Sequence, residues 1–385
     1  MSGPEFCTGS RGIRRGAALT LVFATVLATA AATDCLPREQ GEPHRRLAAR
    51  AAGATVDRDA VERAAADAMA DGKSPSQAAE EVVSRSGDRW GAVYDKDEYE
   101  EFVKALDGEY TGVGLGARRT GDGRVEVAKV QPGGPAERAG IRVGDRLRTI
   151  DGHEVATRPV TEVVALLRGG DGTTVVLGLE RGGREWTERL TRARLSTEAV
   201  TVEHLEGGTV MIKVASFTKG SGSRVRDAVR KAPSGAGVLL DLRGNPGGLV
   251  SEAVTAASAF LDGGLVATYD VRGEQQALYA DPGGDTQRPV VALVDAGTMS
   301  AAELVTGALK DRGRAVTVGS RTFGKGSVQM PSPLPDGSVA ELTVGHYRTP
   351  AGHSVDGRGI TPDLVAGEGA EQRAQTVLSG LGGTS

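Results

Sequence analysis

Four short, nearly uninterrupted apolar runs constrain this chain more than any other feature: residues 210–214, 237–242, 290–294 and 315–318. A strand with one wet face alternates apolar and polar residues, whereas a continuous run suits a strand covered on both faces. Stretches of helical spacing separate the runs. Residues 196–366 are therefore expected to form an α/β core. At 385 residues the chain is too long for a single core, and two or three folded units are expected.

Composition removes some classes of function. The net charge is −4, and no long basic block follows the first fifty residues. Aromatic residues make up only 4%, too few for a base-stacking surface, so no nucleic-acid partner is expected. The 56 glycines imply many turns and sites lined by backbone.

The first 35 residues read as a leader. Arg11, Arg14 and Arg15 precede an apolar run over residues 17–32, and small residues (Ala28, Thr29, Ala30) follow within it. This pattern implies export to an extracytoplasmic place, in the cell envelope or secreted. The run is short for a membrane span, though an uncleaved leader would anchor the chain. Asp34 before Cys35 fits a lipidation signal poorly. Cys7 and Cys35 both lie in this leader, so disulfides and thiolate chemistry are excluded from the folded body. The five histidines lack metal-ligand spacing; neither metal nor cofactor is expected.

Residues 55–108 show helical periodicity in Val61, Ala64, Ala65 and Ala68, then Ala78, Val82 and Val83, then Phe102, Val103 and Leu106. Asp57 and Asp97 are candidate N-caps. So small and alanine-rich a region is expected to pack on another domain or subunit. Residues 109–195 change to short strands and turns. The wording Ala139-Gly140-Ile141, Gly144-Asp145 and Ile150-Asp151-Gly152 resembles a PDZ domain. That resemblance implies a peptide groove beside the loop Gly112, Val113, Gly114, Leu115 and a helix carrying Val160, Val163, Val164 and Leu167. Residues 367–385, rich in glycine, are expected to be weakly ordered.

Two positions in the core carry the chemistry. Ser300 ends a buried strand and opens a helix, and Ser300-Ala301-Ala302-Glu303 also fits a plain capping box. Small neighbours leave room for substrate, and a helix start favours developing negative charge. Lys325 follows the next strand between Gly324 and Gly326. Residues 319–325 match most of a phosphate loop, but Gly326 replaces its hydroxyl residue, and Pro331, Pro333 and Pro335 forbid the required helix. A serine becomes nucleophilic beside a base, and a lysine serves once it is neutral. An ordinary lysine titrates at about 10.4, and burial can bring it down far enough. His346 or His353 could instead complete a Ser/His pair. Asp241-Leu242-Arg243-Gly244-Asn245-Pro246-Gly247-Gly248 reads as a tight turn or as a donor loop for an oxyanion.

Residues 85–366 together resemble the carboxyl-terminal processing, or tail-specific, serine peptidases. The best matches are residues 241–248, 298–303 and 322–329, with residues 357–363 as a closing motif. The resemblance implies Ser300 as nucleophile, Lys325 as general base and Gln329 as its positioner. Gly247 (or Gly248) and Ala301 would form the oxyanion hole. It implies protein or peptide substrates with unfolded C-terminal tails, and leaves room for a homo-oligomer. Met299 stands where the family usually has alanine, and Asp88-Arg89-Trp90 replaces a more usual Asp-Pro-Tyr. Neither departure is expected to touch the dyad. Two rival readings are a tail-binding PDZ scaffold with an inactive core and a crotonase-like acyl-transfer enzyme.

Overall fold

The computed structural model describes residues 56–271 and 274–382, so the leader and both cysteines lie outside the described residues. Two compact bodies are present: Glu109–Thr197 is one, and residues 56–108 with 198–382 form the other.

The second body begins with α1 (Arg58–Ala70) and α2 (Pro75–Ser86), then β1 (Ala92–Tyr94) and α3 (Lys96–Leu106). Asp57 caps α1 as expected, accepting the Asp59 N–H. Helix α3 is capped by Asp95 rather than Asp97, because Glu98, three residues on, completes a capping box with Asp95. Val61, Ala65, Ala79 and Val83 pack against Leu334, Ala340 and Leu342. The N-terminal helices are thus part of the core body.

The smaller body holds β2 (Glu109–Gly112), β3 (Leu115–Arg119), β4 (Val125–Val130), α4 (Pro135–Arg138), β5 (Arg146–Ile150) and β6 (His153–Glu154). It continues with α5 (Val160–Leu167), β7 (Thr174–Arg181), β8 (Arg184–Thr191) and β9 (Ala193–Ser196). Strands run β3-β4-β5-β7-β8, and β2 pairs with β9, bringing the two ends of this body together. Among the expected groove residues, Val113, Leu115, Val164 and Leu167 are buried in its core, and Val160 packs against that core half-buried. Gly114 adopts a φ of +78°, which favours glycine.

The rest of the larger body comprises β10 (Val200–His204), β11 (Val210–Val214), α6 (Ser221–Lys231), β12 (Val238–Asp241), α7 (Val250–Ser258), β13 (Leu265–Val271), β14 (Glu274–Tyr279) and β15 (Val290–Val294). Then come α8 (Ala301–Asp311), β16 (Val316–Gly319), β17 (Ser327–Pro333), β18 (Val339–Arg348), β19 (Leu364–Val365) and α9 (Ala370–Gly382). The main sheet runs β10-β11-β12-β15-β16-β19, parallel except for β10. A second sheet joins β1, β18, β13 and β14, with β17 also on β18.

Burial on both faces explains the apolar runs. Val238, Leu240, Val290 and Ala292 pack in a cluster with residues of α6, α7 and α8. Leu239, Val291 and Leu293, pointing the other way, meet Ala370, Ala374 and Leu378 of α9. The segment expected to be weakly ordered is therefore a helix. Its glycines sit near its ends, while its apolar residues recur every four positions and cover a sheet face that would otherwise be wet.

Candidate active site

Ser300 lies past the carboxyl end of β15, where ligands gather in open α/β sheets. The loop after β12 locks onto the loop that carries it. Thr298 Oγ1 donates to Leu242 O at 2.9 Å, Met299 N to Asn245 O at 2.9 Å, and Gly244 N to Asp295 Oδ1 at 2.9 Å. Asn245, fully buried, donates its Nδ2 to Val214 O at 2.9 Å. These bonds fix two irregular loops that the sheet alone would leave free.

Ser300 departs from an ordinary cap. Its φ of 52° and ψ of −119°, with Ala302 N donating to Met299 O at 3.0 Å, match the first central position of a type II′ turn. Glycine is usual there, so serine carries strain of about 1–3 kcal/mol. Gly247 allows the neighbouring loop to close on it, since a Cβ at 247 would stand 2.9 Å from Ser300 Cβ and 3.0 Å from Ala301 N. Tyr347, buried, donates its hydroxyl to Ser300 O at 3.1 Å.

Glu303 ties the serine to the lysine. Its fully buried carboxylate accepts Ser300 N at 3.0 Å and Lys325 N at 2.9 Å on Oε2. On Oε1 it accepts Thr322 Oγ1 at 2.5 Å and Gly324 N at 2.8 Å. Burial raises the Glu303 pKa above the usual carboxylate value, while the Thr322 hydroxyl and the three amides pull it back. The capping-box reading was thus half of its task. The lysine loop is also braced by residues 357–363: Thr322 N donates to Ile360 O, and Ile360 N to Thr322 Oγ1 at 2.7 Å. A strand, β17, follows Lys325, as its prolines require in place of a phosphate loop's helix.

The Lys325 side chain is largely withdrawn from water, and burial lowers its pKa, with Glu341 and Asp88 holding it partly up. Its Nζ lies 4.8 Å from the Trp90 ring centroid. Trp90 in turn meets Phe323 edge-on at 5.8 Å. Here the expectation that the Asp88-Arg89-Trp90 departure touches neither Ser300 nor Lys325 is corrected for Lys325, because β1 pairs with β18 and carries that segment to the lysine. A charged residue at 341, inside the otherwise apolar start of β18, was a legible signal of the same site.

Among the described residues no hydrogen bond joins Ser300 Oγ to Lys325 Nζ. Gln329 Nε2 donates to Ser327 Oγ at 2.8 Å and Thr343 Oγ1 at 3.2 Å. His346 stands opposite Ser327 in the strand pairing, with Nε2 3.8 Å from Asp356, and neither it nor His353 bonds Ser300. Gly247 N is engaged, donating to Asn245 Oδ1 at 2.8 Å. The amides of Gly248 and Ala301 have no acceptor among the described residues. No metal-binding cluster occurs among the described residues, and none of their helices is long and apolar enough to cross a membrane.

A strained serine at a helix start and a lysine withdrawn from water lie on one α/β body, and a second body is PDZ-like; the class this architecture fits is a serine peptidase carrying a PDZ module. Residues 208–366 match Peptidase family S41, and residues 126–181 match the PDZ domain. The photosystem II D1 C-terminal processing protease is 30% identical, covering 76% of this chain and 82% of its own, with a TM-score of 0.51. The chain belongs to the carboxyl-terminal processing serine peptidases of family S41. A CtpA-like serine protease of Staphylococcus haemolyticus is 32% identical over 308 residues, 76% of this chain and 60% of that protein. One from Staphylococcus aureus strain N315 is 32% identical over 315 residues, covering 80% and 60%. The chain thus spans about three fifths of the length of these curated relatives. An S41 protease from Bacteroides fragilis shares the fold at a TM-score of 0.55 and 18% identity, covering 81% of this chain and 91% of that one.

Proposed function

We propose that this chain is an exported endopeptidase that cuts unfolded or tail-bearing proteins near their C-termini, using Ser300 as nucleophile and Lys325 as general base. The observation that carries the reading is the Glu303 carboxylate, which accepts the amides of both residues and so holds two distant loops at one site. Neutral Lys325 takes the Ser300 hydroxyl proton as Oγ bonds to the substrate carbonyl carbon. The proton passes to the leaving amine as the C–N bond breaks, leaving an acyl-enzyme. Water, deprotonated by the same lysine, releases the acid. The amides of Ala301 and Gly248 supply the oxyanion donors, while Gly247 provides the close approach. Gln329 acts on the lysine side, fixing the strand that follows it. The PDZ body binds the substrate tail through the loop 112–115 and α5, raising the concentration of tethered chain at the serine.

One observation favours a second reading, a tail-binding scaffold with an inactive or autoinhibited core: the missing hydrogen bond between Ser300 Oγ and Lys325 Nζ. An unfolded protein ending in apolar residues, incubated with wild type, Ser300→Ala and Lys325→Ala, separates the two. Cleavage by wild type and by neither variant supports the peptidase. Tail binding without cleavage supports the scaffold.

A further inference from the structure

The Trp90 indole carries two cations. Lys325 Nζ lies 4.8 Å from its ring centroid and Arg89 Cζ 4.7 Å. Its backbone is held firmly, since Asp88 Oδ1 accepts Trp90 N at 2.9 Å and Thr343 Oγ1 at 2.8 Å, and Oδ2 accepts Thr343 N at 2.9 Å. Two residues along β18, Glu341 lies opposite Ala92 of β1 and Pro331 of β17. Its carboxylate, half-buried, accepts no hydrogen bond among the described residues. A carboxylate withdrawn from water without donors favours a nearby cation, and the Lys325 charge lowers its pKa through space, without an ion pair within 4.0 Å among the described residues.

We propose that Trp90 and Glu341 form a seat for the Lys325 ammonium, which makes no hydrogen bond to Ser300 Oγ, so that both are positioning residues that set the pH at which the lysine becomes a base. This rests on the Ser/Lys reading above. The ring face and the carboxylate attract only the charged form. Once the amine is neutral the seat loses its hold, and the flexible four-carbon stem can carry the nitrogen to the serine hydroxyl. The charged and titratable groups on the lysine and ring side are Asp88 and Arg89 before β1, Glu341 of β18, and Glu303 through the Lys325 amide; on the carboxylate side Glu341 also faces Tyr94 of β1 and Tyr99 of α3, with Glu98 of α3 beside Tyr94. Burial opposes the charge, and Glu341 and Asp88 support it. Removing the carboxylate or the ring therefore favours the neutral amine at lower pH.

The test is the pH profile of kcat/KM on an unfolded protein with an apolar C-terminal tail, using the full chain. Glu341→Gln and Trp90→Leu are each expected to move the acid limb down by about 0.5–1 pH unit, and Trp90→Phe to return part of the shift. A limb that stays in place or moves up in both variants overturns the seat. A side-chain 13C titration of Lys325, assigned by Lys325→Arg, reads the same shift without turnover and decides the matter for any variant that does not cleave. Cleavage surviving in Ser300→Ala or Lys325→Ala would bring down the dyad reading instead, and the titration would still report on the seat.

Discussion

Replacing Glu303 by glutamine isolates the clamp between serine and lysine. The carboxylate has two acceptor oxygens and four donors: the amides of Ser300 and Lys325 on one, Thr322 Oγ1 and the amide of Gly324 on the other. Glutamine keeps one acceptor and puts an NH2 where the other stood. The favoured orientation keeps oxygen on the Ser300 and Lys325 amides and turns NH2 toward Thr322 and Gly324. The Gly324 amide is then orphaned, and the Thr322 hydroxyl must reverse while still accepting Ile360 N. Two disrupted buried bonds at about 1–3 kcal/mol each give a loss of about 2–6 kcal/mol, a large share of a typical stability of ~5–15 kcal/mol. A shift of the lysine loop by about 1 Å would cost ~100-fold in rate. Urea unfolding followed by Trp90 fluorescence measures this. Trp186, the other of the two tryptophans, belongs to the PDZ body and is first changed to Phe. Glu303→Gln within about 0.5 kcal/mol of its parent would refute the clamp. A large loss of activity without loss of stability would mean that Glu303 acts on the reaction directly.

Ser300→Gly should abolish cleavage yet raise stability by about 1 kcal/mol over Ser300→Ala, since only glycine relieves the φ of 52°; equal urea midpoints would deny the strain. Cleavage should rise with pH as buried Lys325 loses its proton. Its midpoint should lie below the ordinary lysine value of about 10.4, with a fall of about tenfold per pH unit beneath it. A limb displaced by His346→Ala or His353→Ala would transfer the base to a histidine. Leu378→Ala, cutting a side chain only 3% exposed between α9 and the sheet, should cost about 2–5 kcal/mol in urea unfolding. A change below ~0.5 kcal/mol would mean that α9 contributes little cover.

Local pattern made much of this protein readable. Apolar runs announced strands covered on both faces, Gly114 and its neighbours a turn, and the residues around Ser300 and Lys325 two loops at strand ends. Such features depend on residues close in sequence, where spacing and backbone restriction act directly. The run of strands even implied a cover for the sheet's second face, but composition near residue 380 suggested a loose tail. Only packing showed that Ala370, Ala374 and Leu378 supply that cover. The same limit hid the surroundings of the lysine. Trp90 is more than two hundred residues from Lys325 in the chain, and only the pairing of β1 with β18 brings it to the ammonium. Glu303 could be read as a cap from its distance to Ser300, yet its bonds to Thr322, Gly324 and Lys325 need the 320–326 loop folded back on α8. Sequence alone determined the strands, the turns and the candidate nucleophile and base. The tertiary structure decided how charges are compensated and which way side chains point, because those depend on neighbours that only the folded chain assembles.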